Sequence, residues 1–159
     1  MGGMSSNFDP KRHTIYRPIN PEKYIGKGQI VARSSWETKL MRWLDCTDAV
    51  IQWASECVVI LYQDPNEPIR KGKPNIRKYY PDFYILLKNR EGQLEKFIVE
   101  VKPKKETKTP RKNKDPRRML LEAQTYRKNL AKWKAAENFC KANGMKFMIL
   151  TEDQIFGSR

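Results

Sequence analysis

Two apolar runs on either side of a short turn constrain this chain most. Asp82–Lys88 (DFYILLK) and Leu94–Lys102 (LEKFIVEVK) flank Asn89-Arg90-Glu91-Gly92. Asn and Gly are turn formers, and the flanks are rich in β-branched, aromatic and other apolar residues, so the stretch reads as an antiparallel hairpin. With its midpoint near residue 91, facing residues have numbers that sum to about 182. Asp82 then lies opposite Glu100, with Cβ atoms about 5 Å apart. Side chains alternate along a strand, so Ile98, Glu100 and Lys102 share one face and Val99 and Val101 the other. Two carboxylates held across a sheet repel each other and need positive charge between them. Lys102 supplies some. A divalent cation supplies more, because Mg²⁺ takes one or two carboxylates and completes its shell with water and phosphate oxygens.

Charge points to the partner. The 159 residues hold 32 Lys+Arg against 18 Asp+Glu, a formal net charge of +14. Such an excess favours nucleic acid first and an anionic surface second. Residues 102–118 alone hold nine Lys or Arg against Glu106 and Asp115. Lys104, Lys105, Lys108, Arg111, Lys112, Lys114, Arg117 and Arg118 are candidate phosphate contacts, with a salt-dependent affinity. No base-reading module accompanies them, which implies no strong sequence preference. A metal beside a basic surface suits a phosphodiester: the ion polarises the phosphate and acidifies a water. Lys102 is placed to orient or deprotonate that water, or to neutralise charge in the transition state. A DNA-binding protein that keeps the fold without catalysis, an RNase and a junction-resolving nuclease are the alternatives.

Other chemistries find little support. His13 is the single histidine, and Cys46, Cys57 and Cys140 form no C-x-x-C pair, so a His base, a zinc site and a disulfide framework are not indicated. The thiols are expected to be reduced and mostly buried. No apolar run approaches the ~20 residues of a membrane span. Met1-Gly2 through Ser6 formally fits an N-myristoylation pattern.

The chain length suits one core. Residues 1–33, rich in Pro, Gly and basic residues, read as an extended N-terminal arm, and residues 34–159 as the domain. Ser34-Ser35 opens a helix to about Asp45, with Trp36, Leu40, Trp43 and Leu44 at helical spacing. Val50–Trp53 and Cys57–Tyr62 read as strands, and residues 63–78 as a polar loop. A long helix is expected from about Asp115 or Pro116 to Asn143, its apolar stripe running Met119, Ala123, Tyr126, Leu130, Trp133, Ala136 and Cys140. On that stripe Tyr126 and Trp133 read as core. Asn129 and Lys132 flank it, with Lys132 a candidate facing the cleft and the DNA. Lys146–Thr151 is a last strand. This order specifies an α/β layer structure with a mixed sheet.

Pro81-Asp82 followed by Glu100-Val101-Lys102 resembles the PD-(D/E)XK nuclease signature. Asn20 to Gly26, Arg33 to Glu37, Tyr80 to Phe83, Glu100 to Pro103 and Lys132-Trp133 extend the likeness to the head completion nucleases of tailed phages and to TnsA-type endonucleases. The resemblance implies a restriction-endonuclease-like core, a mixed sheet flanked by helices. It also implies Glu37, Asp82 and Glu100 as metal ligands, Lys102 as the catalytic lysine and the Val101 carbonyl as a further ligand. The implied cofactor is Mg²⁺, with Mn²⁺ as substitute. The implied substrate is double-stranded DNA, without strong sequence preference. The implied setting is head maturation in the host cytoplasm or in the virion, with portal or neck proteins as neighbours and no membrane. Glu37 keeps a second reading: Ser34-Ser35-Trp36-Glu37 is also a capping box, in which Glu37 reaches back to the Ser34 N–H.

Overall fold

The structure, a computed structural model, describes residues 13–157. The Met1–Ser6 pattern and the first part of the arm lie outside the described residues. In chain order the elements are β1 (Thr14–Tyr16), a 3₁₀ turn (Pro21–Lys23), β2 (Ile30–Ala32), α1 (Ser35–Cys46), β3 (Val50–Ser55) and β4 (Ile60–Gln63). There follow β5 (Ile76–Tyr79), β6 (Phe83–Lys88), β7 (Leu94–Val101), a second 3₁₀ turn (Lys104–Thr107), α2 (Pro116–Ala142), β8 (Lys146–Leu150) and α3 (Glu152–Phe156). The central sheet has the order β3-β6-β7-β8, and β1-β2 and β4-β5 form two separate pairs. Only β7 and β8 run parallel within that sheet. The crossover joining them is α2, as a parallel pair requires.

The two helices cover opposite faces. Leu40, Met41 and Leu44 of α1 pack on Trp53, Phe83, Ile85, Phe97 and Val99. Met41, Leu44 and Trp53 are fully enclosed, and burying an apolar side chain of this kind contributes about 1.5–3 kcal/mol. On the other face Trp133 and Ala136 of α2 pack on Ile60, Tyr62 and Tyr79, with Phe147 and Ile149 beside them. The mixed sheet flanked by helices is the architecture expected.

The hairpin sets the register on which the site depends. Phe83 faces Val99, and the pairing continues to Lys88 opposite Leu94, so facing numbers sum to 182. Extended by one residue, the register puts Asp82 beside Glu100. In the turn, the Asn89 carboxamide accepts the Glu91 and Gln93 N–H groups, while Gly92 takes φ +80°.

Several expectations change. The arm is not separate from the domain over its described part: β1 and β2 pair, and Tyr16, Ile30 and Ala32 are buried in the α1 core. The expected loop 63–78 contains β5, which pairs with β4. Only Tyr79 of that strand is buried, so its sequence carries no alternation. β4 begins at Ile60 rather than Cys57. Trp43 is 52% exposed. On α2 the buried residues are Asn129, Trp133, Ala136 and Cys140, and nothing before Asn129 is buried. The expected stripe therefore holds only from Trp133 onward: Leu130 is exposed, and Asn129, expected beside the stripe, takes the buried position instead. Cys46 and Cys57 are exposed, and Cys140 alone is buried. Among the described residues no helix is long and apolar enough to cross a membrane.

Candidate active site

Asp82 sits at the bend that leads into β6, after Pro81. Its carbonyl accepts the Glu56 N–H at 3.0 Å. Its carboxylate Oδ2 accepts the Val101 N–H at 2.7 Å, which ties the Asp82 side chain to the end of β7. Lys102 N–H turns the other way, donating to the Leu150 carbonyl of β8 at 2.9 Å. Peptide groups alternate sides along a strand, so the Val101 carbonyl lies on the Asp82 side of β7. That agrees with the role the resemblance implies for it.

Glu100 points to the α2 face and is 9% exposed. Its Oε2 accepts a hydrogen bond from the Tyr79 hydroxyl at 2.5 Å. Burial first, and the charge of Asp82 second, push the Glu100 carboxyl above the usual range, while Tyr79, Lys102 and Lys132 pull the other way. The Asp82 carboxyl is likewise pushed up by burial, against the Val101 N–H and Lys102. Asp82 and Glu100 therefore stand close enough for Glu100 to feel the charge of Asp82, and Lys102 is close enough for both carboxylates to feel its own.

Glu37 joins this group. Ser34 is the N-cap of α1, its Oγ accepting the Glu37 N–H at 3.2 Å. The Glu37 carboxyl is pushed up to about 7 by burial and by Asp82, with Arg33 and its backbone N–H opposing. Ser34 thus caps the helix through its own side chain, while the Glu37 carboxylate stands in the field of Asp82. Arg33 also pairs with Glu56, at the end of β3, where Glu56 takes φ +49°.

The donor set suits a hard cation. Among the described residues no group of three or more His, Cys, Asp or Glu side chains closes round an ion position. What the chain supplies is two carboxylates, each with one oxygen held by the protein and the other making no hydrogen bond among the described residues, with Glu37 in the field of Asp82. Mg²⁺ binds in this manner, through one or two carboxylates and otherwise water and phosphate. All-oxygen ligands also suit Mn²⁺.

The other predicted residues divide. Lys132 lies on the α2 face over the rings of Tyr79 and Tyr62, its Nζ 5.6 and 5.8 Å from their centroids. Burial and then Lys128 lower its ammonium's proton affinity, and Glu100 opposes them. Lys132 therefore belongs to the site. Lys105, Lys108, Arg111, Lys112, Lys114 and Arg117 are exposed along the basic segment and the start of α2. Lys104 and Arg118 are taken up locally: Lys104 pairs with Asp153 at 2.9 Å and Arg118 with Glu122 at 3.0 Å. Tyr79, which holds Glu100, is the residue of this group that sequence reasoning missed. Its one signal is an aromatic residue placed just before Tyr80-Pro81-Asp82, in a stretch without strand periodicity.

Residues 47–152 match the family described as TnsA-like endonuclease N terminal. The chain is also similar to the head completion nuclease of Enterobacteria phage T4, 40% identical over 142 residues that span 86% of this chain and 88% of that protein.

Proposed function

Because the chain belongs to the TnsA-like endonuclease family, we propose that it is a Mg²⁺-dependent endonuclease that hydrolyses phosphodiester bonds in DNA, with Mn²⁺ able to substitute. The observation that carries this reading is the meeting of Asp82 and Glu100 at the open end of the β6–β7 pair with Lys102 beside them. The likeness to a phage head completion nuclease supports a role in finishing the packaged head. On this reading the protein acts in the host cytoplasm during assembly or stays in the virion, near portal or neck proteins.

When bound, the ion supplies Lewis-acid polarisation of the phosphate and a water of lowered pKa. The chain's own groups do the rest. Asp82 and Glu100 present one oxygen each, because the Val101 N–H and the Tyr79 hydroxyl hold the others. Glu37 adds negative charge at the same place, and the Val101 carbonyl lies on the same side of β7. Lys102 neutralises charge that builds on the scissile phosphate and orients the attacking water. The exposed cations of residues 105–117 hold the DNA backbone through sequence-independent charge.

Supercoiled plasmid incubated with Mg²⁺ tests this directly. Nicking or linearisation is expected with the parent protein and its abolition by EDTA. Asp82→Ala and Lys102→Ala, checked for native circular dichroism, are expected to lose at least about 100-fold in rate. Cleavage that survives both substitutions overturns the assignment.

A further inference from the structure

The basic segment after β7 and the start of α2 enclose a groove of about 930 Å³. One wall is the segment from Lys104 to Arg111, and the other is the first half of α2, from Arg118 to Asn129. None of the acids of the site lines it, but both walls continue from elements that carry site residues. Lys104 follows Lys102 by two residues, and Asn129 precedes Lys132 by about one helical turn.

The lining has two distinct chemistries. Among the described residues, Lys105, Lys108 and Arg111 on the outer wall make no ion pair, whereas Lys104 and Arg118 are taken up by Asp153 and Glu122. Three cations are thus available to an anion in the groove, against one exposed acid of the same wall, Glu106. On the α2 side stand Tyr126 and Asn129. Tyr126 was expected in the core, yet it is only half-buried and belongs to neither hydrophobic cluster. Its helix face turns off the sheet at this point, leaving the ring on the groove. Asn129 is 7% exposed; among the described residues its carboxamide makes no hydrogen bond, and its polar atoms are not enclosed, so the amide's donors and acceptor are open to the groove.

A row of cations facing an aromatic ring is the pairing that binds single-stranded nucleic acid, by backbone charge and base stacking. The size agrees. Cavities of about 300–1,000 Å³ take drug-sized ligands, comparable to a few nucleotides. We propose that this groove receives an unpaired DNA strand next to the cut, with a base on Tyr126, a base edge at Asn129 and phosphates along Lys105, Lys108 and Arg111. The preferred substrate is then a duplex with an unpaired tail or branch. This rests on the endonuclease reading and refines its substrate.

Binding in EDTA separates the two. A fluorescein-labelled duplex, blunt or with a tail of about six thymidines, is titrated and followed by anisotropy. The tailed duplex is expected to bind more tightly than the blunt one. Tyr126→Ala should weaken the tailed complex by about 5- to 100-fold and leave the blunt complex unchanged, while Tyr126→Phe, which keeps the ring, retains the preference. Equal affinity for the two duplexes overturns the proposal, as does equal weakening of both by Tyr126→Ala. Plasmid cleavage without a tail preference overturns this inference alone, and a tail preference in a protein that cleaves no plasmid overturns the endonuclease reading alone.

Discussion

Glu37 shows what it costs a small domain to hold acids together. A carboxyl whose proton affinity is raised on folding binds more protons in the native state than in the unfolded chain. Its contribution to stability is complete below the unfolded value of 4.5 and is lost as pH rises through the folded value of about 7. Asp82 and Glu100 are shifted in the same direction, so all three act against the fold above neutrality. The unfolding free energy is therefore expected to fall between pH 5 and pH 8, and Glu37→Gln should recover about 1–3 kcal/mol at pH 8 and almost nothing below pH 4.5. Urea melts at the two pH values measure this. A Glu37→Gln protein whose stability falls as steeply as the parent's contradicts it. If the site holds a cation as proposed, this cost has a functional sense, because acids that are unfavourable without the ion trade stability for activity.

At the scale of elements, legibility followed periodicity. The β6–β7 hairpin carried apolar runs and turn residues, and its register was read to the residue, which placed Asp82 against Glu100. The ends of α2 were marked by Asp115-Pro116 and Asn143-Gly144. β5 was missed because its only buried side chain is Tyr79, and one inward residue leaves no pattern to read. The stripe on α2 was drawn too far because helical spacing persists in sequence beyond the point where the sheet ends. The same β4–β5 pair that concealed Tyr79 also projects charge. Arg70, Lys71 and Lys73 are exposed around its tip, where Lys71 takes φ +53° and Gly72 φ +69°. Arg77 is paired with Glu67, but among the described residues the three tip cations make no ion pair. If all three meet phosphates, changing them to Gln lowers the slope of log affinity against log salt by about 2.7 on duplex DNA. An unchanged slope, measured by anisotropy across a salt series in EDTA, puts the duplex on another surface.

The whole molecule joins what the sequence divides. The family match begins at residue 47, and composition breaks near residue 33, yet the core ignores both points. Asp45, at the end of α1, is fully buried, and its carboxylate accepts from the Tyr16 hydroxyl at 2.7 Å and from the N–H groups of Ile19 and Asn20 at 2.7 and 2.9 Å. Lys23 reaches the carbonyls of Asp45 and Thr47 at 3.0 and 2.7 Å. Burial alone would raise the Asp45 carboxyl; the hydrogen bonds from Tyr16, Ile19 and Asn20 and the charge of Lys23 outweigh it and hold the carboxyl below the usual range. Every one of those partners comes from the segment before α1. A chain starting at residue 34 would leave a buried carboxylate without them and would also strip Tyr16, Ile30 and Ala32 from the core. Loss of one partner from a buried charge costs about 3–5 kcal/mol, against a total stability of about 5–15 kcal/mol for a domain. The truncated chain is therefore expected to lack a cooperative thermal transition, and Asp45→Asn in the full chain to lose a few kcal/mol while keeping one. A shortened chain that melts like the parent would show that the arm is an appendage, and that the acid at the end of α1 is satisfied in some other way.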